Sequence, residues 1–258
     1  MIEQSLRNEA AWVLCNVASG TTEQCQVLVD CAAPSVLVAG ALQAKQSFAE
    51  TCLNALGNLA GDTRLIRNAL LDAGALPAFF KIASSPNAAP KNVQMAVWAL
   101  SNTFKHPLPN VYYPAGGESW AKEVQPYLPV FTRLLHSDDE DTKWNMCCGI
   151  SRLLKAGDAF HKPMVEEEFL IDRLIELVQV DHKKIASSAL TALGEILAGD
   201  AGFTGLLIGK GILPVLRGLL KHEDEFRGYL AAWSICKSGF ERSERQLCCN
   251  RETTRSSH

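Results

Sequence analysis

Apolar residues recur along this chain three or four positions apart, in segments divided by short polar or glycine-containing turns. Two examples are "EQCQVLVDCAAPSVLVAGAL" and "AGFTGLLIGKGILPVLRGLL". This spacing is typical of helices that bury one face, and no segment keeps the strict alternation of a strand. The pattern therefore predicts an all-α protein.

The turns divide the helices into a repeated order. In "DAGALPAFF" and "GKGILPVLRGLL", Gly74 and Gly211 stand where one helix ends, and Pro77 and Pro214 fall in the first turn of the next. Glycine favours the position after a helix, and proline is tolerated in a first turn. Each unit is predicted to contain a short helix, a second helix and a longer third helix.

The predicted third helices of the first three units carry a pair of aromatic or amide residues four positions apart. Residues at this spacing lie on one helical face, so stacked units would align the pairs. We call these six residues the ladder: Trp12 with Asn16, Asn54 with Asn58, and Trp98 with Asn102.

The second position of each pair continues through the chain at intervals of roughly 44 residues, as Arg152, Glu195 and Lys237. Repeats of this length are typical of armadillo or HEAT solenoids. The one longer interval contains "HPLPNVYYPAGGESW", whose proline and glycine predict a loop. We expect an armadillo or HEAT solenoid of about six repeats over residues 1–240, with incomplete ends, and a disordered tail over residues 241–258.

Composition narrows the function. The 258 residues include 25 Lys plus Arg against 28 Asp plus Glu, and a net charge of −3 argues against a nucleic-acid binder. The nine cysteines form no C-x-x-C pair, so buried thiols are expected and a zinc site is not. The sequence shows neither a signal peptide nor a membrane span, and no metal or cofactor is expected.

An enzymatic role has no residues to carry it. The six histidines are scattered and pair with no Cys or Ser motif, and "DAGALP" lacks a phosphate-loop pattern. The acidic run Asp138–Asp141 precedes a predicted third helix, where carboxylates favour the N-terminus. We interpret that run as a solvated helix cap.

Several motifs together resemble a known family. "EAAWVLCNVASGTTEQ" resembles the first armadillo repeat of importin-α, the receptor for nuclear localisation signals, and "ALGNLAGDTRLIRNALLDAGALP" resembles the second. "AVWALSNTFKHPLPN" with "YLPVFTRLLHSDDEDT" is similar to the third repeat leading into the fourth, and weaker matches follow to about residue 240. The resemblance implies that the solenoid is a right-handed superhelical armadillo-repeat solenoid. It also implies a nuclear import adaptor of the cytoplasm and nucleus, whose partners carry lysine-rich signals.

The resemblance also implies a peptide-binding site. Asn carboxamides would pair with the N–H and C=O of an extended peptide, and Trp indoles would hold the aliphatic stems of its lysines. Asp62 matches the acidic residue that receives the main lysine. The implied site comprises Trp12, Asn16, Ser19, Asn54, Asn58, Gly61, Asp62, Trp98 and Asn102.

The chain departs from the family pattern at several positions. Asn54 replaces a Trp, which removes the wall of one lysine slot. Beyond the third repeat, Cys148 with Arg152, Thr191 with Glu195, and Lys237 replace ladder residues, so the family's second signal site is expected to be lost. The Arg/Lys-rich segment that binds importin-β is missing from this sequence, so importin-β is an expected partner only of a longer form.

Alternatives remain at each step. Trp12 and Trp98 could be core aromatics, the ladder amides could bond to nearby backbone, and Asp62 could be a helix-capping or loop residue. The whole chain could be an armadillo scaffold that binds another protein and has left nuclear transport, or a truncated product. No nucleic acid or membrane partner is expected.

Overall fold

The fold is described from a computed structural model that covers residues 2–43, 46–106 and 120–237. Most of the predicted loop, residues 107–119, and the predicted tail, residues 241–258, lie outside these described residues. Every regular element in the described part of the chain is helical. The predicted all-α armadillo-repeat fold is confirmed, with about five or six repeats.

The helices follow the predicted three-helix order. The chain begins with α1 (Ile2–Ala18), the third helix of the first repeat. The second repeat is α2 (Thr22–Asp30), α3 (Ala33–Ala41) and α4 (Gln46–Gly61), and the third is α5 (Arg64–Asp72), α6 (Ala75–Ser84) and α7 (Pro90–Thr103).

The later repeats keep this order. Residues 120–124 and a 3-10 turn, Gln125–Tyr127, lead into α8 (Leu128–Leu135) and α9 (Glu140–Ala156). After a second 3-10 turn, Asp158–Phe160, come α10 (His161–Glu166), α11 (Leu170–Leu177) and α12 (Lys183–Leu197). The last three helices are α13 (Ala201–Gly209), α14 (Ile212–Leu219) and α15 (Glu225–Lys237).

The helix boundaries have local causes. Gly74 and Gly211 adopt left-handed φ values of 81° and 86°, as the C′ prediction requires, and Ala32 stands at the equivalent corner with φ 55°. Asp139, within the acidic run, accepts a hydrogen bond from Thr142 N at 2.7 Å and caps α9. The prediction of a cap there is confirmed.

The chain forms two compact units, Met1–Leu170 and Ile171–His258. In the first unit α4 packs between α1 and α7, and α9 packs on the other side of α7. The facing helix surfaces are filled by fully buried residues such as Leu56, Leu59 and Leu100. Four third helices are therefore fixed side by side by apolar burial.

Arginine side chains bridge successive repeats in the first unit. Arg67 of α5 is fully buried and donates from Nη1 to Thr103 O at 2.8 Å, at the end of α7. Arg133 of α8 donates from Nη2 to Ala83 O at 2.6 Å, at the end of α6. Both side chains donate hydrogen bonds to main-chain oxygens in the last turn of a helix, which has no further helical N–H to supply them, and so tie neighbouring repeats together.

No single helix among the described residues is long and apolar enough to cross a membrane. Two helix pairs, α2 with α3 and α13 with α14, reach the required length and composition only together, and each is bent by 84°.

Candidate functional site

The ladder residues lie on the three neighbouring helices α1, α4 and α7. Trp12 is 59% exposed and Asn16 is exposed, while the other four are half-buried between fully buried neighbours. The structure thus brings together all six residues that the sequence pattern placed on one face. Trp12 is not a core aromatic.

Trp98 lies directly over Gly57 of the preceding repeat. A Cβ at Gly57 would be 2.2 Å from Cζ3 and 2.5 Å from Cε3 of the Trp98 indole. The same relation occurs in the second unit, where a Cβ at Gly194 would be 2.3 Å from Cζ3 of Trp233. Each glycine therefore creates the space in which the next repeat's indole rests against the helix.

The ladder amides differ in their internal hydrogen bonds. Asn102 donates from Nδ2 to Gly57 O at 3.0 Å, across to the preceding repeat. Within the described residues, the carboxamides of Asn16, Asn54 and Asn58 make no hydrogen bond to the chain. The alternative that the ladder amides bond to nearby backbone therefore holds for one N–H of Asn102. The remaining amide groups are available to a ligand.

Asp62 follows the last residue of α4. Its carboxylate accepts a hydrogen bond from Thr22 Oγ1 at 3.1 Å, and Thr63, not Asp62, caps α5 by accepting from Ile66 N. The capping alternative for Asp62 is therefore wrong. Beyond the Thr22 hydroxyl and the Cys25 thiol, its carboxylate retains acceptor capacity, as a lysine-binding group requires.

Two residues that the sequence analysis missed lie beside Asp62. Lys105 donates from Nζ to Gly61 O at 2.8 Å, and His106 Nε2 donates to Asp62 O at 2.9 Å. They follow Asn102 at the same offsets at which Gly61 and Asp62 follow Asn58, so the repeat register itself was the signal that could have found them. Lys105 brings a positive charge next to the proposed lysine-binding carboxylate.

Cys25 lies close to Asp62. Its thiol is buried, and this burial is the larger cause that raises its pKa to about 11. The negative charge of Asp62 is the smaller cause and acts in the same direction. The thiol therefore stays protonated at neutral pH and adds no charge to the site. Cys31 and Cys236 are exposed, so the expectation that the thiols are buried is wrong at these two positions.

The ladder changes character in the fourth repeat. Arg152 replaces the amide and donates from Nη1 to the backbone oxygen of Ser101 and to its Oγ at 2.8 Å. Ser101 precedes Asn102 as Gly57 precedes Asn58, so Arg152 makes the same inter-repeat bond that Asn102 makes to Gly57. In the second unit Thr191 bonds within its own helix, to Ser187 O at 2.8 Å.

Among the residues that the structure describes, no three His, Cys, Asp or Glu side chains are grouped in a way that could hold a metal ion. The side chain of Lys237 lies outside the described part of the chain.

Comparison with known proteins gives importin-α subunits in sequence and armadillo-repeat proteins in structure. Importin subunit alpha-1b of Oryza sativa subsp. japonica is 32% identical over 83% of this chain and 38% of its own length. Importin subunit alpha-8 of Arabidopsis thaliana is 27% identical over 89% of this chain and 48% of its own length. The chain thus spans less than half of these relatives. No protein-family model matches it.

Among solved structures, a designed armadillo repeat protein in complex with the peptide (KR)4 superposes with a TM-score of 0.79. That likeness covers 90% of this chain and 92% of the designed one at 21% identity. A second designed armadillo repeat protein gives a TM-score of 0.78 at 21% identity, over 90% of this chain and 93% of its own. These likenesses establish the fold.

Proposed function

This chain is an armadillo-repeat relative of the importin-α subunits, and we propose that its ladder binds an extended, lysine-rich peptide of the nuclear-localisation type. The observation that carries the proposal is the state of the ladder amides: Asn16 and Asn58 extend from α1 and α4 without a partner in the described chain. Polar groups held in register on a packed face can pair with a peptide backbone without reading its sequence.

Specificity for lysine would come from the groups around those amides. Trp12 and Trp98 offer apolar and π surface to the lysine stems, and Asp62 offers a carboxylate to one ammonium. Ser19 and Gly61 line the same ends of α1 and α4. In this proposal Asn54 contributes hydrogen bonds at the position where the family pattern has a Trp.

As a nuclear import adaptor, the chain would act in the cytoplasm and nucleus on proteins that display such signals. The relatives named importin subunit alpha support this role, and the designed protein solved with (KR)4 shows that an armadillo fold accepts a basic peptide. Recruitment of importin-β would require a segment outside this sequence.

The test is fluorescence-anisotropy titration of a labelled lysine-rich signal peptide against wild type and an Asp62→Lys, Trp98→Ala double variant. We expect binding that the double variant abolishes. Asp72→Lys is a matched control, because it makes the same charge change on an exposed residue at the far end of α5. A folded wild-type chain that does not bind the peptide would contradict the proposal.

A second function is favoured by the residues beyond the third repeat. Arg152, Thr191 and Glu195 depart from the ladder, which fits a scaffold that binds a different protein without transport activity. A partner whose binding is indifferent to substitution of both Trp98 and Asn102 would favour the scaffold.

A further inference from the structure

The polar face of the first unit changes the sign of its charge along the repeats. In the second repeat its C-terminal end carries Gly61 and the carboxylate of Asp62. The equivalent positions in the third repeat are Lys105 and His106. The fourth repeat has Arg152 in the ladder and an exposed Lys155 one turn later. A peptide lying along α1, α4, α7 and α9 would meet a carboxylate first and cations afterwards.

Arg152 is suited to contact a ligand. Its guanidinium is fixed by Ser101, whose side chain is buried, through bonds from Nη1 alone. Among the described residues no carboxylate pairs with Arg152. A guanidinium has five N–H donors in a planar fork, so Nε and Nη2 remain for an incoming group.

We propose that Arg152 is a specificity residue that selects an acidic side chain, Asp or Glu, in the bound peptide, on the same strand as the lysine that Asp62 receives. This inference rests on the proposed function and narrows its ligand to a peptide of mixed charge. Lys155 adds to the local positive field. A carboxylate binds the free edge of a fixed guanidinium through charge-assisted hydrogen bonds.

The position of the acidic residue follows from the fold. Asp62 and Arg152 are two repeats apart, and packed neighbouring helices lie about 8–10 Å apart. An extended peptide advances roughly 3.3 Å per residue. The acidic residue is therefore expected roughly five or six positions from the lysine.

The test compares lysine-cluster peptides that differ only in one Glu or Gln, placed roughly six positions from the cluster on either side. Wild type should bind one Glu peptide about twofold to fivefold more tightly than its Gln twin, and added salt should reduce that ratio. Arg152→Asn should bring the ratio to one. Asn is the matched choice because Asn102 makes the equivalent inter-repeat bond.

Lys81→Gln is the control for total charge, because Lys81 is exposed in the last turn of α6, and it should keep the ratio. Equal affinity for Glu and Gln peptides, with binding still lost in Asp62→Lys, would overturn this inference and leave the peptide groove standing. A ratio that survives Arg152→Asn would also overturn it. If wild type binds neither peptide, both proposals fall.

Discussion

The contact between Gly57 and Trp98 leads to a sharp prediction for Gly57→Ala. The new methyl group would lie 2.2 Å from Cζ3 of the indole, whereas carbon atoms in contact are ordinarily about 3.5–4.0 Å apart. The ring must therefore retreat by more than about 1 Å or leave its position. Because Trp98 is only half-buried, it can swing toward solvent, so loss of the ladder geometry is the main expected effect.

Two opposing terms set the change in unfolding free energy. Alanine in a helix interior is more favourable than glycine by about 0.5–1 kcal/mol, and overpacking costs about 1–3 kcal/mol. Gly149→Ala isolates the first term in the same unit, because its added Cβ would meet no atom closer than 3.4 Å. We expect Gly149→Ala to stabilise the chain and Gly57→Ala to destabilise it by roughly 1 kcal/mol.

Urea unfolding followed by circular dichroism measures these differences in unfolding free energy, and fluorescence anisotropy of a labelled peptide measures its affinity for the proposed groove. Gly57→Ala should also shift the tryptophan emission and weaken peptide binding, whereas Gly149→Ala should do neither. Gly194→Ala repeats the experiment under Trp233 in the second unit. If Gly57→Ala stabilises the chain as much as Gly149→Ala does, and binds peptide normally, the indole does not rest on Gly57 and the reasoning fails.

Two further predictions concern a strained corner and a protected thiol. Ala32→Gly should raise the unfolding free energy by about 1 kcal/mol, because a left-handed φ of 55° strains a residue with a Cβ, and Gly74→Ala should lower it by a similar amount; equal urea midpoints would contradict this. In alkylation followed by peptide mass mapping, exposed Cys31 should react near neutral pH while Cys25 is spared. Folding raises the pKa of Cys25 from 9.0 to about 11, so the unfolded chain loses this proton at a lower pH than the folded chain does. The free energy of unfolding should therefore fall as pH rises from 9.0 to about 11. Equal labelling of both thiols would refute the protection.

The fold was predictable from sequence because its determinants are local and repeated. The period of roughly 44 residues, the apolar spacing and the glycine corners at Gly74 and Gly211 each predict the same architecture. The corner at Ala32 could not be recognised in this way, because alanine rarely adopts a left-handed conformation and its presence does not predict one. In the structure Ala32 occupies the same corner of its repeat as Gly74 and Gly211 occupy in theirs.

The ladder was also predictable, but its internal bonds were not. A spacing of four residues in a helix is enough to place Trp98 and Asn102 on one face. Whether an amide bonds inward or stays available depends on which atoms the preceding repeat presents. Gly57 offers both a carbonyl to Asn102 and open space to Trp98. A glycine one repeat before each such tryptophan was the available signal, at Gly57 and again at Gly194.

The inter-repeat bond explains how the proposed peptide groove could change its ligand while the repeats keep their packing. In the third repeat an amide donates to the backbone oxygen of Gly57, and in the fourth a guanidinium donates to the backbone oxygen of Ser101. The acceptor is a main-chain carbonyl, so it is present whatever side chain precedes the ladder position. Any residue with an N–H donor of suitable reach can therefore hold two repeats together, and the donors that remain determine which ligand groups the repeat can recognise. By this argument the step from Asn102 to Arg152 would exchange the proposed backbone clamping for the proposed anion recognition, while the packing between α7 and α9 is kept.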